Sequence, residues 1–260
     1  LQLETEVSLV EGPAFVPQDE HGVLDSVLAV WGESGYPTPD DTGWRVESEV
    51  PVGQGLKSSA ALACAAARAL DEALWTGLSD PQIVDIAVAA QRRSGCTLTG
   101  SMDDAWAAIS PGWKLVDPEQ TSHDSVLLEG DIETGLSVLV ALRGARNSRV
   151  EPEAFEKQSK LFERALASLS SGSLFAAMSA NGMAVAAAIG DDEALRICNS
   201  AIARGAISAG VTGSGPAIAI ICYEQHADLL AEFARESRME VLEAAFTQSQ
   251  MQREEASRWE

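Results

Sequence analysis

The chain has 260 residues, 46% of them apolar and 5% aromatic, which is enough for a real core in one large domain or two packed lobes. Thirty-nine acidic residues stand against eighteen basic ones, a formal charge of −21 that excludes the cationic surface nucleic-acid binding requires. No run approaches the roughly 20 apolar residues of a membrane-spanning helix, and the start LQLETEVSLVEG lacks the basic and apolar segments of a signal peptide. An intracellular, cytoplasmic protein is therefore expected. Only Lys57, Lys114, Lys157 and Lys160 are lysines, against fourteen arginines. Acidic, lysine-poor surfaces stay hydrated when salt screens their self-repulsion, so the composition predicts a halophilic source, most simply an archaeon. Cys64, Cys96, Cys198 and Cys222 are far apart, with neither metal-site spacing nor a need for disulfides.

In chain order, alternation predicts strands over 1–10 and 44–50, with a short helix over 23–31 between them. The loop PVGQGLKSS then runs into an alanine-rich helix over 60–74. A second helix is predicted over 80–93, with Asp80 as N-cap and Pro81 in the first turn. Residues 97–104 read as a polar loop, 112–116 as a strand and 136–142 (LSVLVAL) as a buried strand. Arg143 to Glu151 is basic and irregular. Helices follow around 153–168, 173–188 and 191–204, then the glycine-rich GAISAGVTGSGP and an apolar strand over 217–222. A helix over 228–238 and a sheet-edge segment over 239–247 close the pattern, with a polar tail expected to fray. No repeat or low-complexity linker is present, and the order lacks regular βαβ alternation, so the fold class read from it is α+β.

Three loops carry candidate chemistry. In the first, Pro51 to Ser59, glycines precede a helix start, where uncapped amides and the helix dipole suit a phosphate. Lys57 adds a charge, and Ser58 and Ser59 can cap the helix or ligate Mg²⁺; an ordinary strand–turn–helix remains the plain alternative. The loop fits neither the Walker pattern, because Leu56 precedes Lys57, nor GxGxxG, because Ser58 stands at the last glycine. In the second, Thr99 to Ala105 (TGSMDDA), paired carboxylates can bind a metal, take a proton or cap a helix. In the third, Ala209 to Ile220 (AGVTGSGPAIAI), glycines permit tight turns and close backbone approach before a buried strand.

PVGQGLKSSAALA resembles the PxxxGLGSSAA signature of the GHMP kinases, with Lys57 in place of a glycine. GLKSS and TGSMDDA are similar to the archaeal shikimate kinase branch, as are AGVTGSGPAIAI and, less specifically, Asn181-Gly182. The resemblance covers about residues 46–220. It implies a two-lobed α+β fold. An N-terminal lobe of mixed sheet and helices (1–145) would carry the ATP phosphate loop, and a ferredoxin-like C-terminal lobe (146–260) the glycine-rich loop.

The resemblance further implies ATP-dependent phosphorylation of shikimate in aromatic amino acid biosynthesis, with ATP and Mg²⁺ as cofactors. ATP would be held by Pro51, Val52, Gly53, Gln54, Gly55, Leu56, Lys57, Ser58, Ser59, Ala60, Gly213, Ser214 and Gly215. Asp103 and Lys57 would be catalytic, and Ser58 and Ser59 the metal ligands. Asp103, Asp104, Arg146 and Gly213 would meet the substrate, with Arg143, Arg146 and Arg149 as candidates for its carboxylate. Two features depart from the family: its N-terminal motif is not found, so the chain reads as starting after that region, and Arg92 stands where related kinases carry a Mg²⁺-binding glutamate. Homoserine or mevalonate as acceptor, or a non-catalytic nucleotide-binding protein on this scaffold, are the alternatives. The expected assembly is a monomer or homodimer.

Overall fold

The structure, a computed structural model, describes residues 1–12, 16–17, 19–97, 100, 102–144 and 151–247. The described residues fall into two compact units. One holds residues 3–51, 57–132 and Thr247; the other holds 1–2, 52–56 and 133–246.

In the first unit, strand β1 (Thr5–Glu11) pairs antiparallel with β2 (Thr42–Ser48), Val7 lying opposite Val46. Helix α1 (Val23–Glu33) connects them, its first amides at Val23 and Leu24 held by the Asp19 carboxylate. The alanine-rich helix α2 (Ser58–Leu74) packs on β1 and α1 and on α3 (Asp80–Ser94). Trp31, Leu70, Ile83 and Val84 are fully buried in the shared core, and small alanines at 60, 63, 66 and 67 let the helices approach. The cap of α3 differs from the sequence expectation. Ser79 is the N-cap, its backbone amide and hydroxyl both donating to the Gln82 side chain, while Asp80 pairs with Arg68 of α2. A short helix, α4 (Asp103–Ile109), and the hairpin β3 (Trp113–Val116) with β4 (Val126–Gly130) complete the unit. Within it, the Trp106 indole donates to Ser125 and the Ser122 hydroxyl to the Pro81 carbonyl, which ties the turn before β4 to α4 and α3.

The second unit opens with β5 (Leu136–Leu142), nearly all buried. Helices α5 (Pro152–Glu156), α6 (Ser159–Ser170), α7 (Leu174–Ala188) and α8 (Asp192–Ala203) follow. Then come β6 (Ser208–Val211), β7 (Ile218–Tyr223), α9 (Ala227–Glu236) and β8 (Glu240–Ala245). The strands form one antiparallel sheet in the order β6-β7-β5-β8. That order, with β5 leading through helices to the β6–β7 hairpin and α9 leading to β8, is the ferredoxin-like arrangement expected. Its core is separate from that of the first unit and centres on Leu139, Ile218, Ile220, Cys198 and Leu230.

The division differs from a single break at 145/146. Strand β5 is hydrogen-bonded on both edges by β7 and β8, so its unit begins at Glu133, and residues 52–56 join that unit through contacts described below. Within the glycine-rich stretch the structure adds β6, a strand that the low β propensity of glycine conceals. Its Gly210 faces Gly182 of α7 so closely that a Cβ on Gly182 would lie 2.4 Å from the Gly210 Cα. Only two glycines allow helix and strand to meet there.

Candidate active site

The loop Pro51–Ser59 is shared between the units, and each part has its own surroundings. Residues 52–56 lie against the glycine-rich turn after β6. The Gln54 carbonyl accepts from the Ala217 amide at 3.1 Å and from the Thr212 hydroxyl at 3.3 Å. Gly55, at φ 76°, sits flush on that turn, since a Cβ there would lie 2.5 Å from the Thr212 carbonyl oxygen and 2.7 Å from that of Gly215. The turn closes on itself through Gly215 N to Thr212 O at 2.7 Å, with Gly213 exposed at φ 49° and a cis Gly215–Pro216 bond. Gln54 and Gly55 thus pack directly on the turn that carries Gly213, Ser214 and Gly215. Val52 and Gly53 are exposed at its edge. The Gln54 Oε1 atom is buried, with no hydrogen-bond partner among the described residues. Such an orphan costs about 1–3 kcal/mol, which a bound donor or cation would relieve.

In the other unit, α2 begins with Lys57 as N-cap at φ 61°, ψ 40°, a left-handed conformation costing on the order of 1 kcal/mol for a residue with a Cβ. Ala60 and Ala61 donate to the Lys57 carbonyl, and among the described residues no side chain caps the first turn. The helix start therefore keeps the positive potential that favours a phosphate. Ala60 is fully buried, anchoring the turn. The Ser59 hydroxyl lies 3.3 Å from Oε1 of Gln91, itself buried in α3.

Asp103 and Asp104 occupy the first turn of α4 rather than a loop. Asp103 is exposed; Asp104 is largely but not fully buried and accepts from the Lys57 ammonium at 2.6 Å. Burial and the neighbouring Asp103 charge push the Asp104 carboxyl up to about 6, against the pull of Lys57. The segment before α4 is held by Arg92, whose Nε and Nη2 donate to the Gly100 carbonyl at 3.1 and 2.5 Å. Gly100 has φ 67°, and a Cβ on it would strike the Arg92 side chain. Arg92, standing where a metal-binding glutamate was sought, thus acts as a clamp on this loop. Gln91 and Arg92 carry no motif of their own, and the sequence reading missed both partnerships.

Of the arginines proposed for an acceptor carboxylate, Arg146 and Arg149 lie outside the described residues. Arg143 is already engaged: its guanidinium forks onto Asp191 at 2.5 and 3.0 Å and reaches Glu193 at 2.8 Å. Those bonds hold Arg143 charged above its ordinary range. Burial alone would raise the Asp191 carboxyl, but the hydrogen bonds from Arg143 and the Ala194 amide, with the Arg143 charge, pull it below its ordinary value. The pair caps α8 and leaves Arg143 no free fork for a ligand.

Among the described residues no three His, Cys, Asp or Glu side chains converge on a metal position. The oxygens present at the start of α2, the Ser58 and Ser59 hydroxyls, fit a cation held chiefly by phosphates and water, as Mg²⁺ is.

Family models for the GHMP kinase N-terminal domain and the GHMP kinase C-terminal domain match residues 22–112 and 160–238. The chain belongs to the GHMP kinases. Among relatives of this GHMP kinase, the shikimate kinase of Pyrococcus abyssi is 32% identical over 217 residues, 83% of this chain and 76% of that one. The shikimate kinase of Methanobrevibacter smithii is 30% identical over 200 residues, 74% and 68% of the two chains. A structure described as a homoserine kinase from Listeria monocytogenes superposes with TM-score 0.65 at 17% identity, covering 95% of this chain and 88% of that one. That likeness is one of fold. No helix among the described residues is long and apolar enough to cross a membrane.

Proposed function

We propose that this ATP-dependent small-molecule kinase phosphorylates shikimate to shikimate 3-phosphate. The observation that carries the reading is the start of α2, a helix N-terminus without a side-chain cap and with a lysine at its N-cap, in a chain about 30% identical to relatives named shikimate kinase.

Phosphoryl transfer asks a protein for positioning and charge neutralisation more than for covalent chemistry. The acceptor oxygen forms a bond to the γ-phosphorus as the bond to the ADP oxygen breaks, and the hydroxyl proton passes to the Asp103 carboxylate. Asp103 suits this role because it is exposed, on a helix turn held by packing. Lys57 and the first amides of α2 balance the negative charge on the phosphoryl group. Residues 52–56 and the 212–216 turn, braced on each other, line the nucleotide phosphates. Mg²⁺, held by phosphate oxygens with Ser58 or Ser59, supplies further charge neutralisation when bound. Arg146 is the partner proposed for the shikimate carboxylate.

Coupled ADP release with Mg-ATP in molar KCl, offering shikimate, homoserine and mevalonate separately, tests this. Turnover with shikimate alone is expected. Turnover with another acceptor overturns the substrate, and nucleotide binding without ADP release on any acceptor overturns the activity.

A further inference from the structure

The Lys57–Asp104 pair forms at a local cost in backbone conformation and desolvation. Lys57 holds a left-handed backbone that a glycine adopts freely, and its ammonium reaches a carboxylate that is 11% exposed and sits beside a second carboxylate. A half-exposed lysine gains little stability from such a bridge. In a chain with 39 acidic residues it has many solvated partners to choose from, yet it meets this buried one.

The carboxylate is also fixed in place. The next residue, Ala105, is fully buried with its carbonyl 3.7 Å from the Cys64 sulfur on α2, and Trp106 is anchored on Ser125. Among the described residues, the groups facing Asp104 are Lys57, Asp103, whose carboxyl is within hydrogen-bond reach, and the Cys64 thiol, which feels the Asp104 charge. Strain concentrates at functional positions when the surroundings over-determine it.

We infer that Asp104 is a positioning residue: it holds the Lys57 ammonium at the N-terminus of α2 for the phosphoryl group in transfer, and leaves Asp103 alone to meet the acceptor. This rests on the kinase reading above and reassigns Asp104 from substrate contact to lysine support. The two adjacent carboxylates then have different tasks, set by their difference in exposure.

The test compares D104N, K57M, K57R and the D104N/K57M double variant with the wild type. D104N is expected to lower kcat about tenfold to a hundredfold with the acceptor KM within about twofold. The double variant should be no worse than K57M, because both changes remove one arrangement. K57R, which keeps the charge, should recover part of the K57M loss. A D104N variant with normal kcat, a large rise in acceptor KM, or losses that multiply in the double variant would overturn the assignment.

Lysine-selective NMR separates this from failure of the substrate reading. With four lysines in the chain, the Lys57 signal is identified by its loss in K57M. It should move with pH near 6 in the wild type and not in D104N. Identical behaviour in both proteins refutes the pair even if no acceptor turns over. If all acceptors fail, Mg-ATP affinity of the same variants replaces kcat: D104N and K57M should weaken it equally and without additivity, and an unaffected affinity overturns the proposal.

Discussion

The buried carboxylate of Asp104 should make the wild-type protein less stable than its Asp104→Asn variant at neutral pH. Folding raises this carboxyl from its ordinary 3.8 to about 6, burial being the main cause. A raised carboxyl binds its proton more tightly when folded. Its contribution is therefore full at pH below 3.8, declines as pH rises through about 6, and becomes a constant cost above that. At about 1.36 kcal/mol per pH unit the total is roughly 3 kcal/mol, with the attraction of Lys57 already included. Asparagine of nearly the same shape carries no such cost. Urea unfolding of both proteins at fixed molar KCl, from about pH 4 to pH 8, reads the difference directly. The variant's advantage should grow by roughly 2–3 kcal/mol across that range, while other carboxylates titrate equally in both and cancel. A flat difference would refute the buried placement of Asp104. An advantage that shrinks with pH would mean the ion pair, not the desolvation, dominates.

Asp103→Asn should cut turnover by about 10²–10⁴ and shift stability by less than about 0.5 kcal/mol, since the side chain is exposed; near-normal kcat removes Asp103 from the mechanism. Gly55→Ala combines a left-handed φ with a 2.5 Å approach to the Thr212 oxygen, so calorimetry should find Mg-ATP binding weakened by about tenfold or more, and unchanged affinity would detach this loop from the nucleotide. Gly182→Ala must part α7 from β6 and should cost about 1–3 kcal/mol in chemical denaturation, where a neutral result would contradict the 2.4 Å contact with Gly210. The acidic surface predicts a melting temperature that climbs steeply from dilute to molar KCl, and indifference to salt would end the halophile reading.

Elements with a strong local signal were legible in advance. The alanine-rich α2 and the apolar β5 lie within two residues of where periodicity puts them, because each forms its own pattern of burial. Elements made by tertiary contact were not. Strand β6 reads as a glycine loop because what makes it a strand is the partner β7 and the close approach of α7, neither of which leaves a mark on residues 208–211. Helix α4 was hidden for the same reason: seven residues opening with two aspartates look like a loop, and it is held by Cys64 and Ser125. The cap of α3 was missed by one residue, since Ser79 and Asp80 are both good caps and only the reach of Gln82 decides between them.

The site divides along the same line. Glycines at 55, 213 and 215 announce tight turns, and the structure supplies what they are tight against: carbonyl oxygens on which no Cβ would fit. Charge pairing was not announced at all. Two aspartates in sequence are chemically identical until burial distinguishes them, and burial here follows from the turn of α4, which points one toward Lys57 and leaves the other exposed. The lysine at a glycine position is the single local sign that a partner existed. That backbone costs a residue with a Cβ on the order of 1 kcal/mol, and the carboxylate that meets its ammonium lies 47 residues away on another helix. The departure from glycine at this position marks a backbone worth inspecting, and only the fold shows that its side chain is paired with Asp104.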